Sequence, residues 1–237
     1  MPPSTTRTLK MPKLTVHLLA HAPEAFKSAT QHPWLHLAGT NALSRPALLA
    51  WLTQDRLYAL NYPTFIGSLL SKLYLSSEST RTETLEWRIC SLLIDSLTNI
   101  RRELQMFENV LKEEFNWTEG GEVARQETRA YADIFAGAAR PAAGLLEGMT
   151  VLWATEKCYF EAWKFARDQE SEDKTGENVL RRTLIPNWTS AEFEEFVDTI
   201  GGLVDELGEG KSKEEWRRAE DAWKQVLWAE EKFWPEV

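Results

Sequence analysis

Three carboxylates stand where the sequence otherwise places rings and aliphatic side chains. Asp55 lies in Gln54-Asp55-Arg56-Leu57-Tyr58, with Tyr58 and Tyr62 three and seven residues on. On a helix all three share a face. Glu156 has Trp153, Tyr159, Phe160 and Trp163 at −3, +3, +4 and +7, which sets it on an aromatic stripe. Glu230 has Trp223, Phe233 and Trp234 around it. A carboxylate in apolar surroundings must find a partner or take up a proton. Its raised pKa then suits proton transfer near neutral pH. Aromatic walls carrying a few carboxylates would hold a flat, amine-bearing heterocycle, its ring stacked and its amino groups donating to the acids. Blander readings fit the same pattern. Asp55 could be in a structural ion pair or exposed, Glu156 could be half-buried at the edge of its stripe, and Glu230 could belong with Glu231 and Glu236 to an acidic tail.

Other chemistries find little support. His17 and His21 have helical i, i+4 spacing, as do His32 and His36, but neither pair carries the glutamate of an HExxH zinc motif. Glu103 is followed at +4 by Phe107, not by a histidine. No metal and no organic cofactor is expected. The sequence has no P-loop, no GxSxG and no dinucleotide fingerprint. Cys158 reads either as a buried thiol or as a nucleophile activated by Lys157.

Positioning such residues falls to helices. Apolar residues recur at three- and four-residue spacing through Leu48–Tyr58, from Leu85 to about Phe115, through Leu145–Trp163, Phe193–Leu203 and Trp216–Trp234. Thr80-x-x-Glu83, Thr189-x-x-Glu192 and Ser212-x-x-Glu215 read as capping boxes. Pro46 and Pro141 suit first turns, Pro186 a helix stop, and Gly208 and Gly210 a break before the last helix. Pro63 reads as mid-helix, bending its axis. The pattern predicts an all-α fold, a compact multi-helix bundle.

The 237 residues are 43% hydrophobic, enough for a large core, and include eleven Trp that must be buried or line cavities. A net charge of −9 would repel a phosphate backbone, so nucleic acid is not an expected partner. No apolar run approaches the roughly 20 residues that cross a bilayer, so no membrane partner is expected either. Two cysteines, Cys90 and Cys158, make no disulfide framework and point to a reducing, cytoplasmic setting. Residues 1–20, with Arg7, Lys10 and Lys13 and no acid before Glu24, read as a flexible N-terminal extension or a transit peptide; residues 21–237 read as one helical domain.

The ordered pieces resemble the TenA (thiaminase II-like) family. His32-Pro33-Trp34, Leu43-Ser44-Arg45 and Trp51-Leu52-Thr53-Gln54-Asp55-x-x-Tyr58 look like its first signature; Asn187-Trp188 with Phe193, and Glu230-x-x-Phe233-Trp234, look like its last two. The resemblance runs from about residue 25 to the C-terminus. It implies a haem-oxygenase-like bundle whose central pocket binds the aminopyrimidine part of thiamin or its breakdown products, in a homodimer or homotetramer. It makes Asp55 the substrate-holding aspartate, Tyr58 a pocket aromatic and Glu230 the C-terminal glutamate. Trp188 falls where many members carry a pocket tyrosine, and Tyr131 matches another one loosely. The family's cysteine nucleophile, aligned through Trp153, falls at Val151, and Cys158 lies seven residues beyond. The stretch Leu152-Trp153-Ala154-Thr155-Glu156-x-x-Tyr159 resembles instead the glutamate-type branch, associated with deformylation and deamination of aminopyrimidines. The resemblance thus implies a hydrolase with Glu156 and Glu230 as catalytic acids and bases, and Asp55, Tyr58, Tyr131, Trp153 and Trp188 binding the ring. A module that binds a pyrimidine or another flat metabolite without turning it over is the alternative.

Overall fold

The computed structural model describes residues 12–78, 80–170 and 178–237. Among the described residues there is no strand. The helices are α1 (Leu14–His21), α2 (Pro23–Thr30), α3 (Pro33–Gly39), α4 (Arg45–Ala59), α5 (Tyr62–Leu70), α6 (Leu85–Phe115), α7 (Gln126–Ala139), α8 (Leu145–Arg167), α9 (Ile185–Trp188), α10 (Ala191–Gly208) and α11 (Lys213–Phe233). A 3₁₀ turn, Arg81–Glu83, precedes α6, and a π turn, Leu180–Leu184, runs into α9.

Short polar side chains start the long helices by accepting otherwise orphaned N–H groups. Ser44 accepts from the Ala47 N–H, Thr84 from Trp87, Ser190 from Phe193, and Ser212 from Glu215. Only the last of the three expected capping boxes has the reciprocal Glu215 bond. At the other two the cap lies further along. Thr84 rather than Thr80 begins α6, and Ser190 rather than Thr189 begins α10, because these residues sit in extended backbone beside the first free N–H groups.

The prolines also act differently from expectation, except Pro46, which sits in the first turn of α4. Pro63 does not bend a helix: α4 ends at Ala59, and Pro63 lies in the first turn of α5, where no N–H is required of it. Pro186 likewise starts α9 rather than stopping a helix. Pro141 lies in the turn before α8, outside any first turn. The expected N-terminal extension is also shortened. Residues 14–20 belong to α1, whose Leu14 and Leu18 are buried, while residues 1–11 lie outside the described residues.

The bundle is organised around α8. It packs against α2, α3, α5, α7, α9, α10 and α11. Its sequence favours this: Gly148 to Thr155 are buried without a break over two turns, and a helical segment buried on every face must lie inside. Against one side of α8 lies a tryptophan cluster. Trp234 stacks on Trp34 at 5.5 Å and on Trp51 at 5.7 Å, Trp34 meets Trp51 at a tilt at 5.0 Å, and Trp163 meets Trp51 at 5.3 Å and Trp188 at 4.5 Å. At roughly 25 cal/mol per Å² over 150–250 Å² of ring surface, each buried indole contributes about 4–6 kcal/mol before entropy is counted. The Trp234 N–H donates to the Ala29 carbonyl at 2.8 Å, which ties the chain's last segment to α2.

Where α3 crosses α8, the backbones approach too closely for a side chain. A Cβ on Gly39 would lie 2.2 Å from the Ala166 carbonyl oxygen and within 3 Å of the Gln169 side chain. Gly39→Ala therefore forces the helices apart. The expected loss is about 1–3 kcal/mol, or roughly 3–10 °C in Tm for a chain of this size. Gly67→Ala is the control. A methyl there meets nothing within 4 Å, and in the interior of α5 it should stabilise by about 0.5–1 kcal/mol. Thermal unfolding of both variants checks the pair.

Candidate functional site

Four helices bring acids to one interior region. α4 supplies Asp55, α6 supplies Glu103, α8 supplies Glu156 and α11 supplies Glu230. Asp55 and Glu230 are buried, at 2% and 4% exposure; Glu103 and Glu156 are half-buried against the cavity. Each acid accepts a hydrogen bond from one aromatic side chain. Tyr159 donates to Asp55 at 2.8 Å, Tyr62 to Glu156 at 2.6 Å and the Trp188 indole to Glu103 at 2.5 Å, while Tyr131 donates to Glu230.

The cavity has two parts. An inner chamber of about 30 Å³ is lined by Asp55, Tyr58, Glu103, Thr155, Glu156 and Tyr159 among others, and, among the described residues, by no Lys, Arg or His. That volume holds one or two waters. An outer cleft of about 230 Å³ is lined by Asn99, Glu103, Met106, Glu156, Trp188 and Phe196 among others. Tyr62, Ile100, Glu103, Glu156 and Phe193 line both parts and form the partition between them. Arg102, in the cleft wall, stands 3.5 Å from Glu192.

Burial without a cation sets the electrostatics. Glu156 is pushed up to about 8 by burial, with Glu103 and Glu230 adding to the shift and the Tyr62 hydroxyl opposing it. Glu103 and Glu230 each rise to about 7 by burial, opposed by the donors Trp188 and Tyr131. Asp55 is raised well above the usual range by burial and then by Glu103, against the donation from Tyr159. Near neutral pH the site therefore holds carboxyl groups close to their own midpoints, able to give or take protons.

The expected residues fall into three positions. Asp55, Tyr58 and Glu156 line the inner chamber together, and Trp188 lines the cleft. Glu230 and Tyr131 sit one layer back. Tyr131 packs edge-on against Tyr58 at 4.9 Å and holds the Glu230 carboxylate, so Glu230 faces the ring layer rather than the chamber. Trp153 is a correction. It turns away from the chamber, stacks on Trp223 at 5.2 Å and lies against Gly201, because its helical position faces α10 and α11. Val151 is also on another side, lining a surface cleft with Asp133 and Arg218; Thr155, one turn on, lines the chamber together with Glu156 and Tyr159. Cys158 is buried, its thiol raised by burial and by Glu230, and it is not among the residues lining the chamber or the cleft, so it has no activated-nucleophile setting.

Sequence reasoning weighed Glu103 only as a metal ligand and did not place it with the other acids, because Arg101, Arg102 and Gln105 make its surroundings look solvated. Ile100 at −3 and Phe107 at +4, both buried, were the available signal. The roles of Tyr62 and Tyr159 as donors were also missed. Tyr62 had been placed on the face of Asp55, yet it begins a separate helix and reaches Glu156 instead.

Residues 20–237 match the model of the TENA/THI-4/PQQC family. A protein of Fusarium pseudograminearum (strain CS3096) named "Probable transcription factor" is 26% identical over 262 residues, covering 95% of this chain and 52% of that protein. The chain thus spans about half the length of this fungal relative. A Glycine max protein named "Probable bifunctional TENA-E protein" is 23% identical over 211 residues, covering 88% of this chain and 86% of its own. The X-ray structure of a TenA homologue from Pyrococcus furiosus is similar with a TM-score of 0.78 at 24% identity, covering 93% of this chain and 98% of that one, and shows the shared fold.

The acid cluster makes stability fall with pH. A carboxyl group whose pKa is raised by folding binds more protons folded than unfolded, so its contribution is fully present below its ordinary value and is lost as pH rises through its folded value. For Glu156 that window runs from 4.5 to about 8. Wild-type Tm is expected to drop between pH 5 and 8.5. Glu156→Gln, which keeps the Tyr62 contact without the charge, should flatten that drop by roughly 2 kcal/mol, about 4–8 °C. Differential scanning calorimetry across the range checks it, and an unchanged slope contradicts the buried-acid account.

Proposed function

We propose, from the premise that this chain belongs to the TENA/THI-4/PQQC family, that it hydrolyses amine-bearing aminopyrimidines derived from thiamin breakdown. The candidate substrates are 4-amino-5-aminomethyl-2-methylpyrimidine and its N-formyl derivative. The observation that carries the reading is the pairing of Asp55 and Glu156 on the wall of one cation-free aromatic chamber. The family supports a thiamin-related hydrolase role at the coarse level. The TENA-E name of the soybean relative is in keeping with the glutamate-type branch that we assign to this chain.

In this reading the Asp55 carboxylate, oriented by Tyr159, accepts from the ring's exocyclic amine and holds the ring by its polar edge. Tyr58 and Trp188 supply the ring walls. A pyrimidine is larger than the inner chamber, so its entry displaces Tyr62 and Phe193, which form the partition. Glu156 is the acid and base. Its carboxylate takes a proton from water as the water oxygen attacks the side-chain carbon, and its carboxylic acid form protonates the departing nitrogen. The balance is amine plus water giving alcohol plus ammonia. With the N-formyl substrate, water attacks the formyl carbon and formate leaves, giving the free amine. Glu230 acts through Tyr131, fixing the edge of Tyr58, as a positioning residue.

The second reading, a pyrimidine-binding module without turnover, draws on the absence of a cysteine at the chamber and on the name of the fungal relative. One experiment separates the two. Purified protein is incubated with each pyrimidine while ammonia and formate are measured, beside calorimetric titration with the same ligands. The enzyme reading expects release of one product, a kcat about 10²–10⁴-fold lower in Glu156→Gln, and an effect of Asp55→Asn mainly on KM. Binding without product supports the module, and neither binding nor product removes both readings.

A further inference from the structure

Far from the chamber, two histidines of α1 meet a glutamate of α11. His17 and His21 are one turn apart and present their Nε2 atoms to the same carboxylate. The His17 Nε2 is 2.7 Å from Glu220 Oε1, and the His21 Nε2 is 3.8 Å from Glu220 Oε2. The donor atoms of the three residues lie within 4.8 Å of one another. Among the described residues this is the group of histidines, cysteines and acids that reaches metal-ligand spacing. The carboxylate missing from the His-x-x-x-His sequence is supplied from 203 residues further along the chain.

We propose that His17, His21 and Glu220 form a binding site for a borderline divalent transition-metal ion, typified by Zn(II). Two imidazoles and one carboxylate suit Zn(II), Co(II) or Ni(II), whereas Mg(II) and Ca(II) take oxygen-rich sites. Bonds of about 2.0–2.2 Å in a tetrahedron put ligand atoms roughly 3.3 Å apart. The present separations bracket that value, so small side-chain rotations bring the three atoms into place. The fourth position opens outward: His17 and His21 side chains are each 31% exposed and Glu220 20%. Water completes the coordination there.

The surroundings are built for rigidity. The His17 ring packs against Trp216 at 5.2 Å and stands 5.7 Å from the His21 ring. The far side of α1 is docked independently. Asp205 accepts from the Thr15 N–H at 2.8 Å, Lys13 lies 3.6 Å from the same carboxylate, and Leu14 fills the space over Gly208. The two helices are therefore held in register before any ion arrives, and side-chain rotation completes the site. Two further cations act on Glu220 from the same helix, Lys224 and Arg217, and their charge opposes the metal ion and limits affinity. A bound ion would clip the first helix of the described chain to the helix that carries Glu230. The clip stabilises the fold by mass action.

The test uses the full chain, free of any added histidine tag and treated with chelator. Titration calorimetry with ZnCl₂ at pH 7.5 is expected to show one saturable site of roughly micromolar affinity, with a rise in Tm on saturation; MgCl₂ and CaCl₂ give neither. His21→Ala and Glu220→Gln each weaken Zn(II) binding at least about 10-fold, and both abolish the visible d–d absorption that Co(II) acquires in the wild type. Glu220→Gln keeps a polar partner for His17, so its apo Tm stays near wild type and its result counts even if His21→Ala unfolds. The proposal is overturned by wild-type protein with no saturable Zn(II) binding, or by a Co(II) spectrum that survives both substitutions.

Discussion

Four acids share one interior; among the described residues, no Lys, Arg or His lines its inner chamber, and much of the architecture answers that constraint. A buried carboxylate left alone costs several kcal/mol or stays protonated. Here each acid takes a single hydrogen bond from a ring-bearing donor, and those donors come from α5, α7, α8 and α9. The donors differ from Arg or Lys in one decisive respect: they lower the cost of the charge without cancelling it. The result is a set of groups titrating near 7 and 8, where an ion-paired carboxylate would sit far below. Replacing one donor by a cation would stabilise the acid and remove its capacity to exchange a proton at neutral pH.

The aromatic content makes this arrangement affordable in stability. The tryptophan cluster on α8 and the ring layer of Tyr58, Tyr131, Phe135 and Phe233 adjoin the acid region. Their burial offsets the unfavourable desolvation nearby. The same rings transmit position. Glu230 fixes Tyr131, Tyr131 fixes Tyr58, and Tyr58 faces the chamber. Trp163 packs on Trp188, whose indole holds Glu103. Each acid is oriented by a side chain that is itself locked in the core, so the carboxyl groups cannot drift apart to relieve their repulsion.

What was legible in the sequence follows from what the chain must do locally. The 3.6-residue periodicity predicted the long helices, since burying an apolar stripe is a local demand repeated over many residues. The family resemblance, carried by Trp51 to Tyr58 and Glu230 to Trp234, is borne out by the family match over residues 20–237. Asp55 and Glu156 were legible because rings stood at helical spacing around them. Glu103 was not, because its charged neighbours Arg101 and Arg102 hid a face that only Ile100 and Phe107 disclosed. Trp153 was misplaced because α8 is buried on every face, so an aromatic neighbour in sequence gives no direction in space. The prolines were misread for a related reason. Pro63 and Pro186 are compatible with a helix start or a bend, and tertiary packing of α5 and α9 decided between them.

A flat amine carrying a proton would be the counter-ion that this interior lacks. Its binding would lower the carboxyl pKa values that burial has raised, because an opposite charge within a few ångströms favours the ionised form. The ligand's charge would offset the burial that works against an ionised Asp55, and Glu156, raised to about 8, would move toward the base needed to activate water. A neutral or anionic ligand of the same shape would leave the carboxyl pKa values raised and gain only stacking. Selectivity and activation thus share one cause: the ligand charge that compensates the site is the charge that switches it on. That coupling requires the chamber to stay free of Lys and Arg; Arg102 stands out in the cleft wall, beside Glu192.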